Sequence, residues 1–573
     1  GKTHLMELLA GNISPDGGKR ELSKNASVLL VKQELPDDDE SPLEYLRNND
    51  PEVVAAEAAL SKSSAANIGD AADLLAELEQ TRYDVLAPKV LSGLGLTQEQ
   101  MNKPMRNLSD GMRMRINLAS SLIRQPKVLL LDEPSNYLDL EATQWLIHYL
   151  KTYPEKCAVV MVSHDLSILK QVTTATVHLR TGTLTLFSGD YETYKEQLAV
   201  REKNDQRKNE ALEKQIERHE IIYNRFKDLP ESRAAQAVAQ LKKADKKREQ
   251  LVEIVQEEAV IDLNFNNPSV LGDPILSMDK ISIGYTNNMV LSNVELSLQA
   301  NSKVGILGQN GQGKSTLIRA IVEKITPTKG TLIKNPVLKI GYFSQDATEE
   351  LSASSSVYEE FKKKTGITND SEIRSTLSRY GFGRDKISTM VEHLSGGEKS
   401  RLMFCLICTQ SPHLIILDEP TNHLDVETRE KLTIAINNYK GCVVLVSHDA
   451  DLHMQTMDKF WLVKDGSVQV YDKGLSHYQN QLQRAIELNA SPYSTPKNSA
   501  PNTPTSSPSK AKKSPQSPGK NSKEKTQVGG SKASDIGFYS NNNNGSSSSS
   551  NSPTKNNNYK EKGSSANRVL SFE

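Results

Sequence analysis

The sequence predicts an α/β chain made of two repeated domains, joined by a long helical hairpin linker and followed by a disordered C-terminal tail. Three observations predict this. Apolar runs of buried-strand length alternate with helical periods in two stretches, and the same short motifs recur at matched distances in both. The stretch between the copies has almost no Gly or Pro and is dense in Glu, Lys, Gln, Arg and Ala.

A chain of 573 residues is long enough for several domains, each with its own core. With 70 basic and 71 acidic residues it carries no global field, so a charged partner must be met by a local patch. Four cysteines, Cys157, Cys405, Cys408 and Cys442, are too few and too scattered for a disulfide framework, which fits a reducing cytosol. Cys405 and Cys408 lie inside the helical run RLMFCLIC and read as core packing rather than redox or zinc chemistry. No apolar run reaches the roughly eighteen residues of a membrane-spanning helix. The chain does not begin with Met, and Gly1-Lys2-Thr3 read as the last residues of a broken phosphate loop, so more sequence is expected ahead of Gly1.

In the first domain (1–187), SVLLVKQ ends in Gln33, 31 residues after Lys2; LSDGM begins at Leu108, 24 residues before Asp132; and His164 follows Asp132 by 32. The second domain (263–485) repeats the set: Gln345 lies 31 residues after Lys314, LSGGE begins at Leu394, 24 before Asp418, and His448 follows Asp418 by 30. One interval differs. Gln33 to Leu108 spans 75 residues against 49 from Gln345 to Leu394, so the first domain holds a helical insertion near 36–100. Its start, LPDDDESPLEYL, places Asp and Ser ahead of an apolar-periodic segment, as at a helix N-terminus. Spacing alone leaves open an ordinary helical subdomain or a protruding contact arm.

The linker (188–262) reads as two charged helices meeting near Asp228-Leu229-Pro230, since proline starts a helix well and interrupts one badly. From Arg225 to Arg248, eight basic residues (Arg225, Lys227, Arg233, Lys242, Lys243, Lys246, Lys247, Arg248) stand against three acidic ones. Such a tip suits a nucleic-acid backbone, the alternative being a merely solvated helical face. After 486, Ser, Pro, Lys and Asn dominate, and the 486–573 tail is expected to be disordered. Its Ser/Thr-Pro pairs offer sites to a proline-directed kinase.

GQNGQGKST, from Gly308 to Thr316, fits the phosphate-binding pattern G-x-x-x-x-G-K-[ST] and follows the apolar run Lys303 to Leu307, the context of a strand entering a helix. Backbone N–H groups along Gly308, Gln309, Asn310, Gly311, Gln312 and Gly313 would face a β-phosphate. Lys314 would neutralise β/γ charge, and the Ser315 hydroxyl, followed by Thr316, would ligate Mg²⁺. Lys2 and Thr3 hold the matching places in the first domain.

VLLLDEP and LIILDEP are apolar runs that deliver two acids each to a sheet's carboxyl edge. Asp132 and Asp418 suit Mg²⁺; Glu133 and Glu419 suit the orienting and deprotonation of an attacking water. His164 and His448 follow further strands, where an imidazole reaches a γ-phosphate and that water. Gln33 and Gln345 suit a switch that touches metal and water only when nucleotide is present. Tyr285 suits stacking on adenine, with core packing the alternative. Ser109 and Gly111 of LSDGM, and Ser395, Gly396 and Gly397 of LSGGE, open helices and turn N–H groups to an anion. Since each copy has its own phosphate loop, this second anion site is best explained as serving the nucleotide of the other copy.

On these motifs, with LDEPSNYLD, LDEPTNHLD and the GMRMR after the first signature, the chain from Gly1 to about Gln483 resembles the ATP-binding-cassette superfamily, specifically its soluble ABC-F branch. LKTYPEK and FGRDK look closest to the eukaryotic general-control, translation-associated members. The resemblance implies two ABC-type P-loop domains, each a mixed sheet with a helical subdomain, closing head-to-tail within one chain around two ATP with Mg²⁺ rather than through an obligate homodimer. It further implies ATP hydrolysis, a cytoplasmic location, no membrane, and binding to the ribosome with the linker near rRNA and tRNA. Translational-control proteins are candidate partners of the region ahead of Gly1. The intact loop at Gly308 would face LSDGM, in which Asp110 replaces the family's usual Gly and sets an anion beside a γ-phosphate. Three other functions stand beside this one. A transporter ATPase subunit leaves the basic linker unexplained, and a DNA-repair ATPase calls for an inserted coiled coil or zinc cysteines. A signalling scaffold with little turnover draws modest support from Asp110.

Overall fold

Short runs rich in Val, Ile and Leu become the buried central strands of two sheets, as parallel strands covered on both faces require. The computed structural model describes residues 1–23, 26–31, 39–62, 68–154, 157–180, 182–226, 231–250, 263–285, 288–344, 350–421, 424–490 and 569–572. First-domain strands are β1 (Val28–Leu30), β2 (Val128–Asp132), β3 (Ala158–Val162), β4 (Ala175–Arg180) and β5 (Thr183–Ser188). The second domain has β6 (Leu276–Tyr285), β7 (Asn288–Leu298), β8 (Lys303–Leu307), β9 (Lys329–Lys334), β10 (Ile340–Phe343), β11 (Leu414–Asp418), β12 (Cys442–Val446), β13 (Lys459–Lys464) and β14 (Ser467–Tyr471).

The second-domain sheet runs β10-β11-β12-β8-β13-β14 and is parallel except for the β13/β14 hairpin. β8, which feeds the phosphate loop, is therefore central. An antiparallel layer, β7-β6-β9, shares a core with it in which Ile281, Ile283 and Val294 meet Val304, Leu317 and Val444. The first-domain sheet repeats the order as β1-β2-β3-β15-β4-β5, where β15 is Val569–Phe572. β15 pairs in parallel with Val159–Val162 on one side and Ala175–Val177 on the other, the place β8 holds in the second sheet.

The tail reading is corrected at both ends. The helix Gly474–Ala490 runs through 486–490 because ELNA continues a good helix-forming run, and 569–572 is a strand because VLSF has strand propensity and neither Gly nor Pro. Residues 491–568 lie outside the described set.

In the insertion, the helices Pro51–Lys62 and Ile68–Leu78 pack together, and the second continues into a π-helix, Glu79–Leu86. Asp50, 1% exposed, pins its base by accepting from Arg82 Nη1 at 2.6 Å, Tyr83 Oη at 2.5 Å and the Glu52 N–H at 3.0 Å. The linker begins with the 36-residue helix Tyr191–Phe226, about 54 Å long at 1.5 Å per residue. The helix Glu231–Arg248 folds back on it: Gln240 meets His219 at 2.7 Å, Lys247 donates to Gln215 and Arg248 to Glu220. Among the described residues, no helix is long and apolar enough to cross a membrane.

The two domains interlock through equivalent residues. Leu140, first in the helix after LDEPSNYLD, is buried in the second domain's core, and Val426, first after LDEPTNHLD, is buried in the first domain's core. Such reciprocal exchange is what a two-fold-related contact produces.

Candidate functional site

β8 ends beside β13, and the chain must turn there into the helix Lys314–Ile321. Gly308 allows it at φ +142°, where a Cβ would stand 2.3 Å from the Val463 carbonyl oxygen; Gly313 caps the helix at φ +104°, its Cβ position 2.7 Å from Val290. The buried Lys314 folds over the loop, with Nζ 2.6 Å from Gly308 O and 3.3 Å from Asn310 Oδ1. Burial lowers its amine below the ordinary lysine range, against the pull of Glu419, Asp139 and Asp418. Ser315 Oγ lies 3.5 Å from Asp418 Oδ1, bringing the two expected Mg²⁺ ligands together. Thr316 is buried, and Gln312 Oε1 ties the loop to the β13–β14 turn by accepting the Asp465 N–H at 3.1 Å. A caged cation, a helix N-terminus and a Ser–Asp pair fit a polyphosphate with a divalent ion.

The acids repeat the same geometry in both copies. Glu419 leaves β11 at φ +53° and Glu133 leaves β2 at φ +49°, left-handed turns that persist only where the surroundings hold them. Glu419 Oε2 accepts the His448 N–H at 3.3 Å, with His448 Nε2 3.0 Å from Oε1. Glu133 Oε2 accepts the His164 N–H at 3.2 Å, with His164 Nε2 3.4 Å from Oε1. Neither Oε1 contact is aligned as a hydrogen bond, so each glutamate keeps a buried acceptor. Burial drives Glu133 up to about 7 against Arg429 and Lys2, and drives His164 down to about 4. It moves Glu419 and His448 in the same directions. Each copy thus sets a carboxyl of raised proton affinity beside a neutral imidazole.

Tyr285 is 49% exposed, which rules out core packing; its hydroxyl accepts from Arg319 Nη1 at 3.3 Å. Gln33 and Gln345 lie outside the described residues.

The intact loop meets the other domain. A cavity of about 820 Å³ is lined by Ser109, Gly111 and Arg115 on one side and Gln309, Asn310 and Gly311 on the other. Ser109 Oγ caps the helix Asp110–Ile123 by accepting the Met112 N–H at 3.4 Å. The Asp110 carboxylate is paired with Arg113 Nη2 at 2.5 Å, so the bare anion expected there is neutralised within its own helix turn. Sequence reasoning missed Asp139, Glu141 and Tyr478. Asp139 Oδ1 caps the next helix through the Ala142 N–H at 2.9 Å, while Oδ2 accepts the Asn310 N–H across the interface at 3.2 Å. The signal was present, because LDEPSNYLD and LDEPTNHLD both close on Leu-Asp before a helix.

In the first domain, Gly1 precedes the helix Lys2–Ala10 as Gly313 precedes its own, and Lys2 lies near enough to Glu133 and His164 to lower both. Asp132 and Glu133 line one small cavity, while Thr3 is exposed. Ser395 and Glu398 cap the helix Gly396–Thr409 reciprocally, with Gly396 and Gly397 in its first turn. Against burial, Lys386 and Ser395 hold the Glu398 carboxyl at about 2. Arg429 of the second domain reaches across to donate to the His164 carbonyl at 2.9 Å.

Along the linker, Arg225, Lys242, Lys243 and Lys246 are exposed. Lys247 and Arg248 also donate to the facing helix, at Gln215 and Glu220, while the Arg248 side chain stays half exposed. Arg233 lies in the returning helix.

Residues 1–136 and 291–422 match a family model described as ABC transporter, and residues 177–263 match another of that description. The probable ATP-binding protein YheS of Escherichia coli (strain K12) is 34% identical over 486 residues, covering 84% of this chain and 76% of its own. ATP-binding cassette sub-family F member 3 of Mus musculus is 34% identical over 497 residues, covering 84% of this chain and 68% of its own.

Proposed function

The chain belongs to the ABC-F family of twin-cassette ATPases and hydrolyses ATP, and from that premise we propose that it acts on the ribosome, its ATP-bound cassettes presenting the basic face of the linker to RNA. The observation that carries this reading is the exposure of Arg225, Lys242, Lys243 and Lys246 on the outer half of the linker hairpin. Exposed cations along a long helical hairpin are what a phosphate backbone selects. Because Lys247 and Arg248 are engaged with Gln215 and Glu220, the RNA contact centres on the other basic residues of the hairpin.

At the second cassette, the N–H groups of Gly308 to Gly313 and the Lys314 ammonium hold the phosphates of ATP, and Tyr285 offers its exposed ring to the adenine. Ser315 and Asp418 would hold Mg²⁺, which would supply neutralisation of the phosphate charge. Glu419 orients the attacking water and takes its proton, and the neutral His448 steadies that water against the γ-phosphate. Ser109 and Gly111 add N–H groups from the first cassette, so ATP joins the cassettes and its hydrolysis lets them part. Lys2, Thr3, Asp132, Glu133 and His164 have the corresponding roles at the first cassette, opposite Ser395, Gly396 and Gly397.

The test is the salt dependence of ribosome binding. Changing Lys242, Lys243 and Lys246 to Ala should reduce the slope of log affinity against log salt by roughly 2, at about 0.7 for each phosphate that is no longer neutralised, while ATP affinity is unchanged. An unaltered slope would remove the linker from the RNA contact.

A further inference from the structure

The helix Gly474–Ala490 lies across the cassette interface. Leu475, Tyr478 and Leu482 pack on the second cassette's core, and Ile486, on the same helical stripe, packs on the first. Leu482, Ala485 and Ile486 also line the cavity between Ser109 and Asn310, facing Trp145. Tyr478, 7% exposed, donates its hydroxyl to Glu141 Oε1 at 2.6 Å. The other oxygen of that carboxylate, Oε2, accepts from Gln309 Nε2 of the phosphate loop. A chain of contacts therefore leaves the second cassette at Tyr478, passes through Glu141 of the first, and returns to the loop at Gln309. Two residues before Glu141, Asp139 takes the Asn310 N–H.

We propose that this helix is a latch on the intact nucleotide site, with Tyr478 a positioning residue that acts through Glu141 to hold Gln309 and the phosphate loop against the first cassette. The proposal rests on the reading that the loop Gly308 to Thr316 holds ATP. Glu141 accepts from both sides and its helix is capped by Asp139, so removing one donor loosens the grip on the other. Burial and the Glu141 charge push the Tyr478 phenol well above its ordinary range, so it stays a donor at any working pH. Its ring is held independently, edge-on to Tyr471 with centroids 5.9 Å apart, so removing the hydroxyl leaves the helix packed.

The test is a double-mutant cycle on ATP affinity in the full chain carrying Glu419→Gln, using Tyr478→Phe, Gln309→Ala and both together, with thermal melting followed in parallel. Tyr478→Phe is expected to weaken ATP binding roughly tenfold, the effect of losing a hydrogen bond to a charged group, with an unchanged melting temperature. The double variant is expected to be no weaker than Gln309→Ala alone. Additive losses, or unchanged affinity in Tyr478→Phe, would overturn the latch. If Tyr478→Phe lowers the melting temperature, Glu141→Ala, at a partly exposed position, makes the same comparison with Gln309→Ala. A parent chain that binds no ATP would instead contradict the underlying reading of the loop.

Discussion

Replacing Arg429 by Met removes one guanidinium that serves three carbonyls: Leu424 O at 3.1 Å, Thr421 O at 2.8 Å and, across the interface, His164 O at 2.9 Å. The side chain is 13% exposed, and Asp449 Oδ2 stands 3.7 Å away. Methionine refills the stem's volume, so the loss is electrostatic rather than a cavity. A hydrogen bond from a charged donor contributes about 1.5–3 kcal/mol, but three made by one group do not add. A total near 3–5 kcal/mol, the cost of leaving a buried charge without its partner, is the expected destabilisation. About a third of this falls on the His164 contact, enough to raise local opening of that loop roughly tenfold. Hydrogen exchange at the amides of Asp165 and Leu166 reads it directly. Arg429→Met should lose about tenfold protection there, and Arg429→Lys, which keeps the charge without the fork, should fall between. Unchanged exchange at those amides in Arg429→Met would refute a structural link from the second cassette to the first histidine loop.

Two further outcomes follow from named contacts. Arg82, Tyr83 and the Glu52 N–H hold the buried Asp50 carboxyl below its ordinary value despite desolvation. A depressed carboxylate contributes stability above an unfolded pKa of about 4 and loses it as pH falls through the folded value. Urea midpoints measured from pH 6 to pH 2.5 should therefore drop steeply for the parent chain and less for Asp50→Asn. Because Arg113 neutralises Asp110, Asp110→Gly should change ATPase turnover less than about threefold, whereas Arg113→Ala, which bares the carboxylate beside the site, should weaken ATP binding about fivefold. A large rise in turnover for Asp110→Gly would mean that the carboxylate acts on the nucleotide despite its partner.

The duplicated architecture and most of the second site were legible in the sequence because each functional residue ends a strand or opens a helix inside a periodic run. Lys314, Asp418, Glu419 and His448 all sit at such junctions. Contacts made between the copies were not legible: Asn310 meets Asp139 and Tyr478 meets Glu141 across 171 and 337 positions, with only a helix cap as local signal. The pairing of β15 with β3 and β4 is equally non-local, and the Ser- and Asn-rich composition around it masked a four-residue strand signal. Charge counting likewise gathered Lys242 to Arg248 into one patch, and did not show that Lys247 and Arg248 also reach Gln215 and Glu220 on the facing helix. The Asp110 carboxylate was legible as a residue, but its neutralisation by Arg113 depended on a rotamer that spacing alone does not select.

The most direct measurement is cosedimentation with ribosomes of the full chain carrying Glu133→Gln and Glu419→Gln, with and without ATP. With hydrolysis blocked and the cassettes held closed, ATP should retain the protein on ribosomes well above a nucleotide-free sample and above membrane or DNA controls. Equal sedimentation with and without ATP, or no enrichment over those controls, would contradict an ATP-gated action on the ribosome.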